Sequence, residues 1–132
     1  MRRLILTAAL FAAAPAMAQT RMTGAEFEAY STGKTVFFSS NGTPYGAEQY
    51  LPDRRVIWSF LDGICITGEW YEAGDQICFI YENQNNGPQC WSFFRTDGGI
   101  SAQFENDPDA RSLIELQQSP EPLFCPGPGV GA

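Results

Sequence analysis

The residues with the clearest chemistry in this sequence are four cysteines, Cys65, Cys78, Cys90 and Cys125. Four cysteines allow three disulfide pairings. Cys78 and Cys90 lie on neighbouring predicted strands on either side of the 82–88 loop, directly opposite each other and within disulfide reach. Cys65 then lies on the other face of the sheet, which leaves it to pair with Cys125. No pair has the close CxxC spacing of a zinc site and the chain has no histidine, so we predict disulfides 78–90 and 65–125 and no metal.

Acid–base catalysis would have to use carboxylates, because histidine is absent. The obvious pairs are Glu69 with Glu72 and Asp107 with Asp109, and Glu69 is the candidate proton donor because its strand is rich in aromatic residues. No serine-nucleophile, phosphate-loop or dinucleotide motif is present in the sequence. Most acidic residues lie in turns, where structural or solvated roles are expected. We therefore predict a protein that is not an enzyme, with no catalytic residue and no cofactor, and keep a carboxylate-based hydrolase as the least favoured alternative.

The first eighteen residues have the pattern of a secretory signal peptide. Two arginines precede a short apolar stretch at 4–14, and Ala16-Met17-Ala18 places small residues where a signal peptidase cuts, before Gln19. The apolar stretch is too short to span a bilayer, and no later segment replaces it. We expect a periplasmic or secreted protein, a compartment in which disulfides form and persist.

The charge of the remaining chain argues against two classes of partner. Residues 19–132 keep six of the eight basic residues and all fifteen acidic ones, a net charge of −9. An acidic surface repels phosphate backbones and anionic lipids, so we expect no nucleic-acid partner and no membrane-surface role. Aromatic residues make up 14% of the chain, which favours a packed core and leaves rings for recognition.

The order of structural signals predicts one short helix followed by strands. Thr23 and Glu26 form a capping box for a helix at 24–31, and Gly33 ends it. The predicted strands, each bounded by turn residues, are 35–40, 47–51, 54–60, 64–72, 76–82, 89–95, 100–105 and 112–118. Segment 107–118 also allows a helix that starts at Asp107-Pro108, but we favour the strand.

These elements predict an all-β fold. It is an antiparallel meander of about eight strands, as a small barrel or a strongly curled sheet, with a short N-terminal helix and two disulfides. Residues 19–125 form a single disulfide-stapled β domain, and residues 126–132 form a flexible tail rich in glycine and proline.

An aromatic face of this sheet is the candidate binding surface. If Ala73-Gly74-Asp75 forms the turn, five odd-numbered aromatic residues share one face: Tyr71, Phe79, Tyr81, Trp91 and Phe93. That face is too apolar for an ordinary solvated surface. The 65–125 disulfide would draw residues 122–124 across these rings as a lid. The alternative is that the rings form a second hydrophobic layer under the helix and the tail.

Two resemblances support an exported β protein. The chain resembles a family of small exported proteobacterial β proteins of unknown function, which pair a short N-terminal helix with a cysteine-bearing meander. The residues that carry this likeness are Met22-Thr23, Glu26-Phe27, Gly33-Lys34-Thr35, Gly68-x-Trp70, Cys78 and Cys90. In architecture it is also similar to small periplasmic barrels that inhibit secreted metalloproteases through an N-terminal trunk, which would be only residues 19–21 here. The first resemblance implies a periplasmic location and no chemistry.

These observations together predict a non-enzymatic periplasmic module that binds a protein partner or a small apolar ligand through its aromatic face or barrel mouth. The alternative is a structural or envelope accessory protein without a ligand.

Overall fold

The computed structural model describes residues 9–13, 19–107, 109–110 and 112–127. The predicted signal peptide, residues 1–18, lies largely outside these residues, and so does most of the predicted tail at 126–132. Within the described ranges, no helix combines the length and the apolar character needed to cross a bilayer.

The described residues form one α-helix and eight strands. In chain order they are α1 (Gly24–Ser31), β1 (Thr35–Ser40), β2 (Thr43–Leu51), β3 (Arg55–Ser59), β4 (Cys65–Ala73), β5 (Gln76–Tyr81), β6 (Gln89–Thr96), β7 (Gly99–Phe104) and β8 (Leu113–Ser119). A 3-10 turn, Pro52–Arg54, joins β2 to β3. The all-β prediction with a short N-terminal helix is confirmed, and segment 107–118 contributes the strand that we favoured.

The strands close into a barrel. Each strand pairs antiparallel with the next, and β8 returns to pair with β1 from Thr35↔Ser119 to Ser40↔Leu113. Closure satisfies the backbone groups that an open sheet would leave unpaired at its two edges. The prediction of a small barrel is therefore confirmed over the curled-sheet alternative.

Helix α1 forms because a capping box, a pair of reciprocal hydrogen bonds between Thr23 and Glu26, satisfies its first turn. The Thr23 side chain accepts a hydrogen bond from the Glu26 backbone N–H, and the Glu26 carboxylate accepts one from the Thr23 N–H. Gly33, with φ of 84°, takes the left-handed conformation that follows the helix end. The eight-residue helix is too short to be stable alone, so its position depends on the barrel.

The helix closes one end of the barrel through Phe27. This side chain is fully buried, and its ring centroid lies 5.2 Å from that of Trp70 and 4.3 Å from that of Phe93. Tyr30, one turn further on, donates its hydroxyl hydrogen bond to Glu115 Oε2 on β8 at 2.6 Å. The same oxygen accepts the backbone N–H of Ile100 at 2.8 Å, so a buried carboxylate links the helix to two strands.

Both predicted disulfides, Cys65–Cys125 and Cys78–Cys90, are confirmed. The C-terminal segment that Cys125 anchors runs over the outside of the barrel, where the Leu123 backbone N–H donates to the Gln49 side chain at 3.1 Å. The predicted lid is therefore wrong. Cys65 lies on the outer face of β4, so the disulfide holds the tail away from the aromatic interior, and Phe124 remains 84% exposed.

Candidate functional site

A cavity of about 90 Å3 lies inside the end of the barrel opposite the helix. The end is marked by the chain reversals between β1 and β2, β3 and β4, β5 and β6, and β7 and β8. Tyr45 and Phe60 line the cavity and are 41% and 53% exposed, so it opens to solvent. Most of its wall consists of aromatic rings: Phe38, Tyr45, Tyr50, Trp58, Phe60, Phe79, Tyr81, Trp91 and Phe93.

Four of the five predicted binding residues line this cavity together, and Tyr71 does not. The four are Phe79, Tyr81, Trp91 and Phe93. The turn after β4 contains only two residues between the paired Ala73 and Gln76, which places Tyr71 opposite Cys78 rather than in line with Phe79. The shared-face prediction is therefore wrong for Tyr71, which is 38% exposed on the outside of the barrel.

Three rings at the mouth were missing from the predicted binding set. Tyr45, Trp58 and Phe60 form a cluster in which the centroids lie 5.3 to 5.9 Å apart. Trp58 and Phe60 line the cavity from the inner face of the barrel, and in a closed barrel the core face and the cavity wall are the same surface. Their alternation with Val56 along β3 was the signal that could have placed them at the site.

Two glycines create the space in which the rings lie. A side-chain carbon at Gly46 would clash with the Trp58 ring, and one at Gly68 would approach the Tyr81 ring to 2.8 Å. Gly68 belongs to the Gly68-x-Trp70 element of the sequence and pairs with Tyr81 across β4 and β5. Its physical role is to let Tyr81 cross the barrel interior.

Tyr81 reaches across the barrel to a buried carboxyl group, Glu48. The Tyr81 hydroxyl donates a hydrogen bond to Glu48 Oε1 at 2.7 Å. Glu48 is only 2% exposed, lies between Val36 of β1 and Trp58 of β3, and lines the cavity. Its second oxygen, Oε2, is buried and has no hydrogen-bond partner among the described residues. A buried polar atom without a partner is rare in proteins and requires an explanation.

The surroundings of Glu48 favour its neutral form. Burial raises the pKa of Glu48 to about 8, although the hydrogen bond from Tyr81 acts in the opposite direction. Burial, and then the proximity of Glu48, raise the pKa of Tyr81 well above its usual value. At neutral pH the site therefore contains a carboxylic acid and a phenol, both uncharged and both able to donate or accept hydrogen bonds. The one sequence signal for Glu48 is its position two residues before Tyr50, which places both side chains on one face.

The carboxylate pairs considered from the sequence are not at the cavity. Glu69 is exposed and pairs in register with Arg55 and Ile80, while the Glu72 carboxylate accepts the backbone N–H of Gly24 at the start of the helix. Asp107 accepts the backbone N–H of Asp109 at 3.0 Å in an exposed turn. Neither pair is arranged around a cavity.

Among the described residues, no group of three or more histidine, cysteine or acidic side chains is placed to hold a metal ion. What the cavity offers is a largely aromatic wall, the buried carboxyl group of Glu48 and two glutamine side chains, Gln84 and Gln89. Comparisons with protein-family models, curated proteins and solved structures found no match to this chain.

Proposed function

We propose that this protein is a non-enzymatic binding module of the periplasm or the extracellular space, and that it holds a small, largely apolar ligand in the barrel mouth. The observation that carries the proposal is the aromatic cavity of about 90 Å3 with an unpartnered carboxyl oxygen. Ligand sites are typically concave, mostly apolar and equipped with a few placed polar groups.

The distribution of packing inside the barrel supports a ligand site over a plain core. Next to the helix, the interior is filled by large buried side chains, including Phe27, Trp70 and Ile77. Near the mouth, no side chain of the described residues fills the space between the rings, and Tyr45 and Phe60 remain in contact with solvent. Protein interiors are normally close-packed, so an unfilled aromatic interior that opens to water favours occupation by a second molecule.

The cysteines support the export that the proposal includes. All four are paired, and no described cysteine is free. Disulfides persist in oxidising compartments and are uncommon in the cytosol. Together with the signal pattern of residues 1–18, this pairing favours a location outside the cytoplasm.

A protein partner is the second candidate, and one observation favours it. Phe60, Leu61 and Ile64 leave an exposed apolar loop beside the cavity. A partner that covered this loop and inserted one side chain into the cavity would use the same site. The two candidates differ in the mass of the bound species.

Native mass spectrometry of the protein purified from its source would test the proposal. We expect a co-purified species of small-molecule mass, and a protein-sized adduct would instead identify the second candidate. The protein can then be titrated with that species while its tryptophan fluorescence is monitored. Binding should be weaker for Tyr45→Ala and unchanged for the control Tyr71→Ala, which alters only the outer face. Equal effects of the two variants would contradict the placement of the site.

A further inference from the structure

We propose that the ligand carries a small organic cation, such as an ammonium head, which enters the aromatic cavity and is neutralised there by the Glu48 carboxylate. This inference rests on the proposed function, because it names the ligand class of the same cavity. It follows from three features of the described structure: an unused carboxyl oxygen, a wall without positive charge, and rings that favour a cation.

The first feature is the carboxyl group itself. Tyr81 occupies Oε1 of Glu48, and Oε2 is left without a partner among the described residues although it is fully buried. A buried polar atom of this kind leaves a large desolvation cost uncompensated unless another group meets it. A bound cation would give this oxygen a charged partner and would allow Glu48 to ionise.

The second feature is the absence of a competing cation in the wall. Among the described residues, no lysine or arginine lines the cavity. The titratable groups that surround Glu48 are phenols: Tyr81 from β5, and Tyr45 and Tyr50 from its own strand. The neighbours across β1 and β3 are Val36 and Trp58, which do not titrate. The cavity can therefore gain a positive charge without repulsion, and the acidic chain, with a net charge of −7, attracts cations toward it.

The third feature is the ring cluster at the mouth. Tyr45, Trp58 and Phe60 stand within 6 Å of one another, centroid to centroid, and all three line the cavity. The faces of aromatic rings carry partial negative charge, and tryptophan attracts cations most strongly. Aromatic clusters are the arrangement by which proteins recognise alkylated ammonium groups, and here such a cluster lines the same cavity as the Glu48 carboxyl group.

The size of the cavity limits how much of the ligand enters. An apolar cavity of about 150 Å3 can hold a benzene molecule. The cavity here is smaller, about 90 Å3, but it is open at Tyr45 and Phe60, so an alkylated ammonium head enters it in part and extends into the mouth. An adjoining hollow of about 250 Å3 shares Tyr45 and Trp91 with the cavity and offers room for the remainder of the ligand.

Proton linkage distinguishes a cation from a neutral ligand. Because burial raises the pKa of Glu48 to about 8, a cation that binds the carboxylate near neutral pH must displace a proton. Its affinity should rise about tenfold per pH unit from about pH 6 and level off above pH 8. A neutral ligand that accepts a hydrogen bond from protonated Glu48 would show the opposite trend, with constant affinity below pH 8 and a decline above it.

Isothermal titration calorimetry with two matched probes tests the inference. The probes are choline and 3,3-dimethyl-1-butanol, its uncharged carbon isostere. We expect choline to bind at least about tenfold more tightly than the isostere at about pH 8 and to release nearly one proton at about pH 7, measured in buffers of different ionisation enthalpy. Glu48→Gln should abolish the preference for choline and the proton release, while Glu69→Gln, on the outer face, should leave both unchanged.

Each outcome is decisive. Equal or tighter binding of the isostere, or choline binding without proton release, would overturn the cation inference and leave the small-ligand function standing. If the Glu48→Gln variant is folded and the wild-type protein binds neither choline nor the isostere, the inference is overturned. That result would count against the proposed function as well.

Discussion

Replacing Glu48 by glutamine should remove a pH dependence of folding stability that the wild-type barrel shows near neutrality. Glutamine has the size of protonated glutamate and keeps a carbonyl oxygen that can accept the Tyr81 hydroxyl, so the substitution changes little except the ability to ionise. The perturbation therefore isolates one buried proton.

The sign and size follow from the pKa of Glu48 in the two states. Burial raises the folded-state pKa to about 8 from the ordinary 4.5. Between these values the folded protein holds a proton that the unfolded chain has lost, so the free energy of unfolding falls as pH rises through this window. A difference of this size corresponds to about 5 kcal/mol in total, a large part of the roughly 5–15 kcal/mol that stabilises a domain. Above the folded pKa, Glu48 contributes no further slope.

Urea unfolding followed by tryptophan fluorescence, from about pH 5 to pH 9, measures this quantity. The free energies of unfolding for wild type and Glu48→Gln should agree near pH 5 and diverge toward pH 8, with the variant more stable by several kcal/mol. Glu69→Gln is the matched control, because Glu69 is exposed on the outer face of β4 and its loss should shift the whole curve little. A constant difference between wild type and Glu48→Gln across this range would refute the burial of an uncompensated carboxyl group.

Three further variants test the elements that hold the site. Removing the disulfide with Cys65→Ala and Cys125→Ala, which frees a loop of 60 residues, should cost about 4 kcal/mol in urea unfolding, and an unchanged midpoint would show that the bond does not form. Gly46→Ala should cost about 1–3 kcal/mol and alter the near-UV circular dichroism, because the added methyl group would displace the Trp58 ring; a silent variant would contradict that contact. Phe27→Ala should lower the free energy of unfolding, measured by thermal or urea unfolding, by about 3–5 kcal/mol, because the helix would lose the side chain that closes the barrel. A loss below about 1 kcal/mol would mean that other contacts hold the helix on the barrel.

Element positions could be predicted because their signals are local. The capping residues Thr23 and Glu26 and the turn residues between strands act within a few positions of the chain. The disulfide pairing followed from one further constraint, since opposed residues on adjacent strands bring Cys78 and Cys90 into reach and leave one other pair. The prediction that Cys65 and Cys78 lie on opposite faces is wrong, because the two-residue turn after β4 places both on the outer face. Barrel closure was allowed by the strand count but was not required by it.

The assignment of faces failed at one turn, and the reason is geometric. The sequence predicts three turn residues, Ala73-Gly74-Asp75, whereas Ala73 pairs with Gln76 and the turn contains only two residues. Side chains alternate between the two faces along a strand. A turn that is shorter by one residue therefore moves every side chain of the preceding strand to the opposite face, when the next strand is taken as the reference. Tyr71 moved outside for this reason, while Phe79 and Tyr81 remained inside. Cys65 faces outward for the same reason, so the 65–125 disulfide holds residues 122–124, the predicted lid, on the outer surface of the barrel.

Glu48 could not be identified because its character comes from its surroundings. Within the sequence it is one of fifteen acidic residues, most of which are solvated in turns. Its burial depends on β1 and β3, which flank its strand, and on the curling of the sheet, which brings Tyr81 of β5 past Gly68 of β4 and across the interior. No local sequence pattern predicts these contacts between strands, although the two-residue spacing of Glu48 and Tyr50 predicts that both side chains lie on the same face of β2.

Stability does not account for a carboxyl group at position 48. An apolar residue of similar volume would avoid the desolvation of Glu48 and fill space beside Trp58, and such replacements of buried charged groups are often neutral or stabilising. Positions where a protein keeps a residue that the fold disfavours are commonly functional. Here the disfavoured residue lines the cavity, carries an unpartnered oxygen and is surrounded by rings that leave space between them. The free energy that folding loses at Glu48 is available to a ligand that supplies the missing partner, and this links the desolvation of Glu48 to the proposed function.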